Sequence, residues 1–263
     1  METITSAQNP KLKRLLALQE KSSLRREAGL FVVEGRRELE HCLQAGFEID
    51  TLFVCPELTP VEDFSDFQRL KTFAISREAY AKVAYRGGTE GVIAEVRARN
   101  LRLEDLKLRD NPLVIVLEGV EKPGNLGAVL RSADAAAAAA VIICDPLTDL
   151  WNPNLIRASI GAIFTVPTVA CSSQDAISWL KTNNIQILTA QLQDSSLYYD
   201  TPMTGPTAIV MGTESTGLTQ QWRAAADAHI RIPMLGRLDS LNVSVSAAIL
   251  LFEALRQRQG ESA

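Results

Sequence analysis

The stretch 232–248 decides the fold, and it reads IPMLGRLDSLNVSVSAA. A short apolar run stops at Pro233, which cannot donate to a sheet ladder. A polar loop containing Gly236 follows, and the SLN triplet at 240–242 supplies residues that favour the first position of a helix. The stretch therefore predicts a strand, a polar glycine loop and a long apolar helix, in that order.

Two upstream segments have the same organisation. Residues 118–134 read EGVEKPGNLGAVLRSAD, and residues 210–218 read VMGTESTGL. Near-continuous apolar strands between helices indicate a parallel sheet that is covered on both faces. Ligands of such sheets bind where the carboxyl ends of the strands enter loops. The three loops are therefore predicted to share one edge of the sheet.

Short apolar runs supply the predicted strands of this sheet at 113–117, 140–144, 185–189, 208–211 and 229–234. The predicted helices between and after them are 125–139, 173–183, 219–226 and 242–259. The last helix carries an apolar stripe made of Leu241, Val245, Ala248, Leu251 and Leu255. The alanine run 135–140 is interpreted as a helix face that permits close packing.

The N-terminal part has a different pattern, typical of a small mixed α/β domain. A helix is predicted over 9–20, with Asn9 as its cap and Pro10 in its first turn. The other predicted elements are strands at 30–34, 51–55, 73–75 and 91–97 and helices at 36–45 and 77–83. The charged stretch 97–110 is interpreted as a linker. A chain of 263 residues is long for one domain, so two are expected, 1–105 and 111–263.

The formal net charge of −4 argues against a nucleic-acid partner, but the charge is unevenly distributed. Residues 1–37 contain twice as many lysines and arginines as acids. A local basic face could bind phosphate while the whole molecule stays acidic.

Cysteine and histidine spacing predicts no disulfide framework and no zinc site. The four cysteines contain no CxxC pair, and the two histidines have no partner at ligand spacing. The cysteines are expected to be small buried apolar residues. No apolar segment reaches the length of a membrane span and the N-terminus lacks a signal-peptide core, so a cytoplasmic protein is expected.

The glycine spacing excludes two common nucleotide-binding motifs. Gly119, Gly124 and Gly127 do not fit G-x-G-x-x-G, and the chain contains no G-x-x-x-x-G-K-[ST]. A nicotinamide-dependent enzyme is therefore disfavoured. Taken singly, these glycines could serve turn geometry alone.

Together and in this order, the three motifs resemble those of the SpoU/TrmH family of tRNA and rRNA ribose 2′-O-methyltransferases, within the SPOUT superfamily, over about residues 111–258. The resemblance implies S-adenosylmethionine bound by three loops tied into a C-terminal trefoil knot, and a homodimer. It also implies methyl transfer to a ribose 2′-hydroxyl of structured RNA, with rRNA favoured over tRNA. The segment FVVEGR at 31–36 resembles, more weakly, the ribosomal-protein-like RNA-binding domain found before such catalytic domains.

Carried over residue by residue, the resemblance implies a catalytic set of Asn125, Arg131, Glu214, Ser240 and Asn242. It places Arg131 at the target ribose, either as a base assisted by the RNA phosphate or as a clamp that stabilises charge on O2′. Because a guanidinium is effectively always protonated, the clamp is the preferred interpretation. Arg131 could instead form only an ion pair, and Glu214, Ser240 and Asn242 could serve only to cap helices.

The implied cofactor-binding residues are Met211, Gly212, Ile232, Pro233, Met234, Leu241 and Asn242. The predicted RNA-binding residues are Lys11, Lys13, Arg14, Arg25, Arg26 and Arg157. For Arg157, which belongs to a segment WNPNLIRASIG at 151–161 that also resembles the family, a structural salt bridge is an equal alternative. The basic N-terminal residues could likewise form only a solvated helix face.

The sequence departs from the family pattern in motif 2, where Ser215 or Thr216 stands in place of a frequent glycine. The loop shape could therefore differ. The alternative function is a non-catalytic RNA-binding or ribosome-assembly factor that kept the fold, and the intact polar motif residues count against it. Neither metal nor membrane is expected to take part.

Overall fold

The computed structural model of the chain describes residues 2–59, 70–85, 90–120, 122–146, 148–213, 215–237 and 240–260. The strands are β1 (Glu2–Ile4), β2 (Leu30–Glu34), β3 (Ile49–Val54), β4 (Thr72–Ile75), β5 (Val92–Arg97), β6 (Leu113–Glu118), β7 (Ala140–Cys144), β8 (Thr168–Cys171), β9 (Gln186–Ala190), β10 (Ser196–Leu197), β11 (Thr207–Met211) and β12 (Ala228–Arg231). The helices are α1 (Pro10–Glu20), α2 (Ser22–Ala28), α3 (Arg36–Gln44), α4 (Arg77–Val83), α5 (Pro123–Ala135), α6 (Pro153–Ala158), α7 (Ala162–Thr165), α8 (Ser173–Thr182), α9 (Gln220–Ala225) and α10 (Val243–Gly260). Short 3₁₀ helices lie at Leu103–Asp105 and Tyr198–Asp200.

The chain packs as two units. The N-terminal unit comprises Met1–Arg99 together with Asp149–Thr165, and the C-terminal unit comprises Asn100–Thr148 together with Val166–Ala263. The segment 149–165 therefore packs with the N-terminal unit, although the sequence analysis assigns it to the catalytic domain. The chain passes between the units three times.

The N-terminal unit contains a mixed sheet in the order β1-β4-β3-β5-β2. Strand β4 pairs in parallel with β1 and β3, whereas β5 pairs antiparallel with β3 and β2. Helix α1 begins where the sequence predicts, because the side chain of Asn9 accepts a hydrogen bond from the Lys11 amide at 2.9 Å. Apolar residues of α1 and α4 cover one face of the sheet and form its core with the strands. The predicted mixed α/β architecture is confirmed.

An aromatic cluster joins the segment 149–165 to the rest of the N-terminal unit. The rings of Phe31 and Trp151 stack with centroids 4.4 Å apart, and the rings of Phe47 and Phe164 meet at 5.4 Å. Trp151 is 8% exposed, so most of its large surface is removed from water. This segment is therefore part of a hydrophobic core, and not a surface loop.

The C-terminal unit contains the predicted parallel sheet. Among the described residues, its strands follow the order β10-β12-β9-β11-β6-β7-β8, and every neighbouring pair is parallel. Strands β6, β9 and β11 are largely apolar and buried, as the sequence predicts. Strands β8 and β10 were not predicted, because both are short and carry exposed residues at the sheet margins.

One sequence-based interpretation of a helix is wrong. The alanine run 135–140 is not a helix face, because α5 ends at Ala135 and Ala140 already begins β7. Ala137 between them adopts a positive φ of 50°, and the Ala138 amide bonds back to Ala133 at 2.8 Å.

The predicted stripe of α10 is only partly buried. Its buried face consists of Val243, Ala247, Leu250, Leu251 and Ala254.

The charged stretch 97–110 is more than a linker. Leu103 is buried in the core of the C-terminal unit, and Leu101, Leu106 and Leu108 pack against the same core. Leu101 also forms a parallel bridge with Val169 of β8.

Cys42, Cys55 and Cys144 are buried free thiols and Cys171 is half-buried. None of the helices within the described ranges has the length and apolar character that crossing a bilayer requires.

Candidate active site

The site lies at the carboxyl edge of the parallel sheet, where loops leave neighbouring strands. Strand β9 lies between β12 and β11, and β11 pairs with β6. The loops that follow these strands are therefore neighbours in space although they are far apart in sequence. This is the edge at which open parallel sheets bind ligands.

These loops surround a cavity of about 390 Å³. Three of them contribute: residues 190–193 after β9, residues 212–213 and 215–218 after β11, and Ile232, Met234, Ser240 and Leu241 after β12. Of the predicted cofactor residues, Met211, Gly212, Ile232, Met234 and Leu241 line the cavity, as does Ser240 from the predicted catalytic set. Pro233 and Asn242 do not line it within the described residues.

The motif 2 loop, residues 212–218, is folded back on itself. The Gly217 amide donates to the Thr213 carbonyl at 3.0 Å, and the Thr216 amide donates to Thr213 Oγ1 at 3.0 Å. A Cβ on Gly212 would overlap the backbone of Gly217. Gly217 itself has a φ of 65°, a conformation that residues with a side chain rarely adopt. Gly212 and Gly217 are therefore required by the loop, and Ser215 and Thr216 are accommodated on its exposed side.

A direct hydrogen bond joins motif 1 to motif 3. The Asn242 amide donates from Nδ2 to Oδ1 of Asn125 at 3.2 Å. Asn242 also starts α10, because its Oδ1 accepts from the Ser244 amide at 2.9 Å. Asn125 lies in the first turn of α5, which packs against α10. Asn242 therefore caps α10 and also joins two motifs of the site, so the two roles that the sequence left open are compatible.

Arg131 lies six residues beyond Asn125 on α5, about 9 Å farther along the helix axis. Its side chain is exposed, and it forms no hydrogen bond or ion pair with any other residue that the structure describes. The structural alternative, an ion-pair partner, thus receives no support within these ranges. Glu214, the remaining member of the predicted catalytic set, lies outside the described residues.

The cavity suits a ligand with both apolar and polar parts. Ile232, Met234 and Leu241 supply apolar walls. Among the described residues, Gln191 Oε1 and Arg223 Nε are buried side-chain atoms without a hydrogen-bond partner, and both residues line the cavity. Buried polar atoms normally have partners. An acceptor and a donor at one cavity fit the adenosyl group, whose base and ribose both donate and accept hydrogen bonds. The residues present therefore fit S-adenosylmethionine.

The loop after β9 was missed as part of the site. Residues 190–193 and the neighbouring Arg223 of α9 line the cavity, but neither belongs to a motif. The signal was available, since the sequence predicts the strand at 185–189 and parallel sheets bind ligands at strand ends. No cluster of three or more acidic, histidine or cysteine side chains arranged to hold a metal ion occurs in the described ranges.

The predicted RNA-binding residues are in unequal positions. Arg25 is 3% exposed, and its Nε donates to Asp149 Oδ2 at 2.6 Å while Nη1 donates to the Leu18 carbonyl at 2.6 Å. Its predicted role as an RNA contact is therefore wrong in the folded chain, because its guanidinium is buried and its donors are used inside the N-terminal unit.

The other basic residues of this set lie at the surface of the N-terminal unit. Lys11 pairs with Glu2 and Arg14 with Glu95, at 3.2 and 3.0 Å. Arg157 is exposed and donates to the Tyr85 carbonyl at 3.0 Å. Lys13 and Arg26 are exposed and form no ion pair with another described residue. They are the members of the set with the greatest freedom to bind phosphate.

Known proteins resemble the chain along most of its length. The SpoU rRNA Methylase family matches residues 112–252, and the MRM3-like substrate binding domain matches residues 9–94. A 23S rRNA (guanosine-2′-O-)-methyltransferase RlmB of Photobacterium profundum is 38% identical over 70% of this chain and 77% of its own length.

Two solved structures match nearly the whole chain. An RNA 2′-O ribose methyltransferase is 41% identical with a TM-score of 0.85, covering 98% of this chain and 99% of the other. An AdoMet-bound rRNA methyltransferase from Sinorhizobium meliloti is 29% identical with a TM-score of 0.88, covering 97% of each chain. The motifs, the parallel sheet and these matches agree, and the chain belongs to the SpoU rRNA methylase family.

Proposed function

We propose that this protein transfers a methyl group from S-adenosylmethionine to a ribose 2′-hydroxyl of ribosomal RNA. The observation that carries the proposal is the meeting of the three motifs at one edge of the parallel sheet. There the hydrogen bond between Asn125 and Asn242 joins motif 1 to motif 3 beside the cavity that motif 2 lines. The relatives support the reaction, since one is an AdoMet-bound rRNA methyltransferase and another a 23S rRNA guanosine 2′-O-methyltransferase.

The protein has two tasks in this reaction, binding the cofactor and preparing the hydroxyl. The cofactor supplies an electrophilic methyl group on its sulfonium. Met211, Gly212, Ile232, Met234 and Leu241 hold it, through apolar side chains and through backbone that the glycine leaves accessible. Pro233 lies two residues beyond the end of β12 and does not line the cavity within the described residues. Asn242 acts through its bond to Asn125.

A ribose hydroxyl is a poor nucleophile until charge on its oxygen is stabilised. Arg131 is the group proposed for this role, because its guanidinium is exposed and retains its donors for substrate. It binds the RNA phosphate and stabilises negative charge that develops on O2′. Asn125, Asn242 and Ser240 position the substrate beside it, and Glu214 is proposed to assist them.

The N-terminal domain, proposed as residues 1–105, binds the RNA, and residues 111–263 carry the catalytic machinery. The match of residues 9–94 to a substrate binding domain supports this division. Of the predicted RNA-binding residues, those at the surface of the N-terminal unit are Lys11, Lys13, Arg14, Arg26 and Arg157. Ribosomal RNA as substrate favours the cytoplasm as the place of action.

A homodimer is the proposed working form. Val245 and Phe252 are each 47% exposed and recur on one side of α10. Their spacing of seven residues keeps them on one helical face. An apolar helical face of this kind is suited to pack against a second copy. We also propose that the C-terminal part of the chain forms the trefoil knot that the resemblance implies.

The decisive test is ribose-methylation mapping across rRNA and tRNA from cells with and without the gene. The expected result is one 2′-O-methyl mark, on a large-subunit rRNA guanosine, that disappears in the deletion and returns with the wild-type gene. It should not return with an Arg131→Ala gene. If no mark changes, and purified protein still binds rRNA, the non-catalytic assembly factor becomes the better account. Sedimentation of Phe252→Glu against wild type tests the dimer, since the charged variant should sediment as a monomer.

A further inference from the structure

A buried carboxylate lies at the base of the motif 2 loop. Glu118, the last residue of β6, is 6% exposed and does not line the cavity within the described residues. Its Oε2 accepts a hydrogen bond from the Thr219 amide at 2.8 Å, and its Oε1 accepts from Thr219 Oγ1 at 2.7 Å. One carboxylate thus binds both donors of a residue 101 positions later.

Thr219 is the residue at which the motif 2 loop ends and α9 begins. The loop starts just after Met211, which is the register partner of Leu117 on the neighbouring strand β6. The loop therefore begins beside Leu117 of β6, and the residue at its end is bound to Glu118 of the same strand. Loop 212–218 is closed at its base by two consecutive residues of β6, one through strand pairing and one through a side chain.

Glu118 is itself held by a small polar network. Ser173 Oγ lies 3.3 Å from Glu118 Oε1, accepts from Trp222 Nε1 at 2.9 Å and donates to Asp145 Oδ2 at 2.6 Å. Trp222 belongs to α9, so the network fixes the first turns of this helix as well as the end of the loop. Glu118, Ser173 and Trp222 are buried, whereas Asp145 and Thr219 are exposed. Hydrogen bonds among the buried members make the geometry that they hold rigid.

We propose that Glu118 is a positioning residue for the motif 2 loop, setting the affinity for S-adenosylmethionine without touching it. The inference rests on the proposed function, because it takes the cavity to be the cofactor site. Without the two hydrogen bonds to Glu118, the loop loses one of the two anchors at its base and samples other shapes. Affinity falls in proportion to the fraction of time spent in the binding shape, so a loop correctly formed a tenth of the time binds about tenfold more weakly.

The chemistry of the contact predicts a graded series of variants. Glu118→Ala removes both acceptors and should weaken binding about tenfold or more. Glu118→Gln should stay within about threefold of wild type, because an amide oxygen can accept from the Thr219 amide while the amide nitrogen donates to the two hydroxyls. Thr219→Val loses only the hydroxyl contact and should lie between the two.

Thr219→Pro removes both donors of Thr219, so its difference from Thr219→Val measures the backbone contact. Thr219 has a φ of −66°, which proline adopts without strain, but proline has no amide hydrogen to donate. This variant should match Glu118→Ala although Glu118 is intact. Arg258→Gln serves as the stability control. Arg258 donates to the carbonyls of Met203 and Gly205, before the start of β11 and so at the opposite edge of the sheet.

The experiment is calorimetric titration of S-adenosylhomocysteine into each full-length variant, with methyl transfer measured over a range of S-adenosylmethionine. Glu118→Ala and Thr219→Pro should raise Kd and KM together, leave kcat at saturation within about threefold, and speed amide exchange at Gly217. Glu118→Ala should also speed exchange at Thr219. Glu118→Gln should restore the wild-type values, and Arg258→Gln should lower Tm without changing Kd.

Three outcomes would overturn the inference: an unchanged Kd in Glu118→Ala, a fall in kcat with KM constant, or an equal loss of affinity in Arg258→Gln. Failure of the proposed function is recognised separately, because wild-type protein would then not bind S-adenosylhomocysteine. In that case amide exchange at Gly217 still decides whether Glu118 anchors the loop.

Discussion

Among the described residues, the predicted RNA-binding residues of the N-terminal unit mostly have protein partners, whereas the predicted catalytic arginine of the C-terminal unit does not. In the N-terminal unit, Arg25 is buried against Asp149, and Arg14 and Lys11 are paired with Glu95 and Glu2. In the C-terminal unit, Arg131 is exposed and pairs with no other described residue. A count of positive charge along the sequence therefore overstates the RNA-binding surface of the first unit, whereas a single arginine placed by a motif keeps its donors available.

The difference has an energetic basis. A buried guanidinium must have its donors satisfied, and removing one partner of a buried pair is strongly destabilising. An exposed arginine contributes little to folding and is free to bind substrate. Variants of buried or paired basic residues should therefore lose stability before they lose activity, and variants of exposed, unpaired ones should do the reverse.

The largest expected effect is on stability and concerns the aromatic cluster. Trp151→Ala removes the ring that stacks on Phe31 and should cost about 3–5 kcal/mol in the free energy of unfolding of the N-terminal unit. Urea denaturation, monitored by amide exchange in each unit, measures this loss of unfolding free energy. For the same reason, a truncated protein without residues 1–105 should be unstable, since its Trp151 and Phe164 lose their partners. Equal stability of Trp151→Ala and wild type would contradict the assignment of segment 149–165 to this core.

Arg131→Ala should lower the rate of methyl transfer by about 10²–10³, the usual effect of removing a group that stabilises transition-state charge. Its Tm and its Kd for S-adenosylhomocysteine should stay close to the wild-type values, because the side chain is exposed. Single-turnover kinetics at saturating cofactor provides the measurement. Near-normal turnover in a folded variant would remove Arg131 from the proposed mechanism.

Charge removal in the first unit should separate the two uses of its basic residues. The double variant Lys13→Gln, Arg26→Gln should weaken rRNA binding and reduce the slope of log K against log salt by about 1–2. Arg25→Met should instead lower Tm and leave the salt slope unchanged, because the residue is buried in an ion pair. Filter binding at several salt concentrations distinguishes them. A smaller slope in Arg25→Met alone would reverse the assignment.

The smallest effect concerns pH. Burial raises the pKa of Glu34 from 4.5 to about 6, although the Tyr85 amide bonded to its carboxylate acts in the opposite direction. The folded state then binds this proton more tightly than the unfolded state, so stability falls as pH rises from about 4.5 to 6 and this contribution is level above. Glu34→Gln should raise Tm by a few °C at pH 7.5 and by less at about pH 4. The same gain in Tm at both pH values would contradict the raised pKa of Glu34.

Local chemistry explains which parts of the fold and the site were predictable. Asn9 and the buried strand β11 could be recognised directly, since caps and continuous apolar runs act over a few residues. Gly212 and Asn242 were found because turns and close approaches demand particular residue types. The burial of Arg25, the docking of Trp151 and the contribution of Gln191 to the cavity depend on partners far along the chain, and no local pattern carries them.

The segment 149–165 also determines when the N-terminal unit can finish folding during synthesis. Domains generally fold as they emerge from the ribosome, N-terminal part first, at about 5–20 residues per second. Here the first unit ends its continuous stretch at Arg99, yet Phe31 and Arg25 have their partners at Trp151 and Asp149, far later in the chain. For several seconds the nascent chain therefore carries an uncovered aromatic surface and an unpaired arginine, a condition that makes a folding intermediate prone to aggregation.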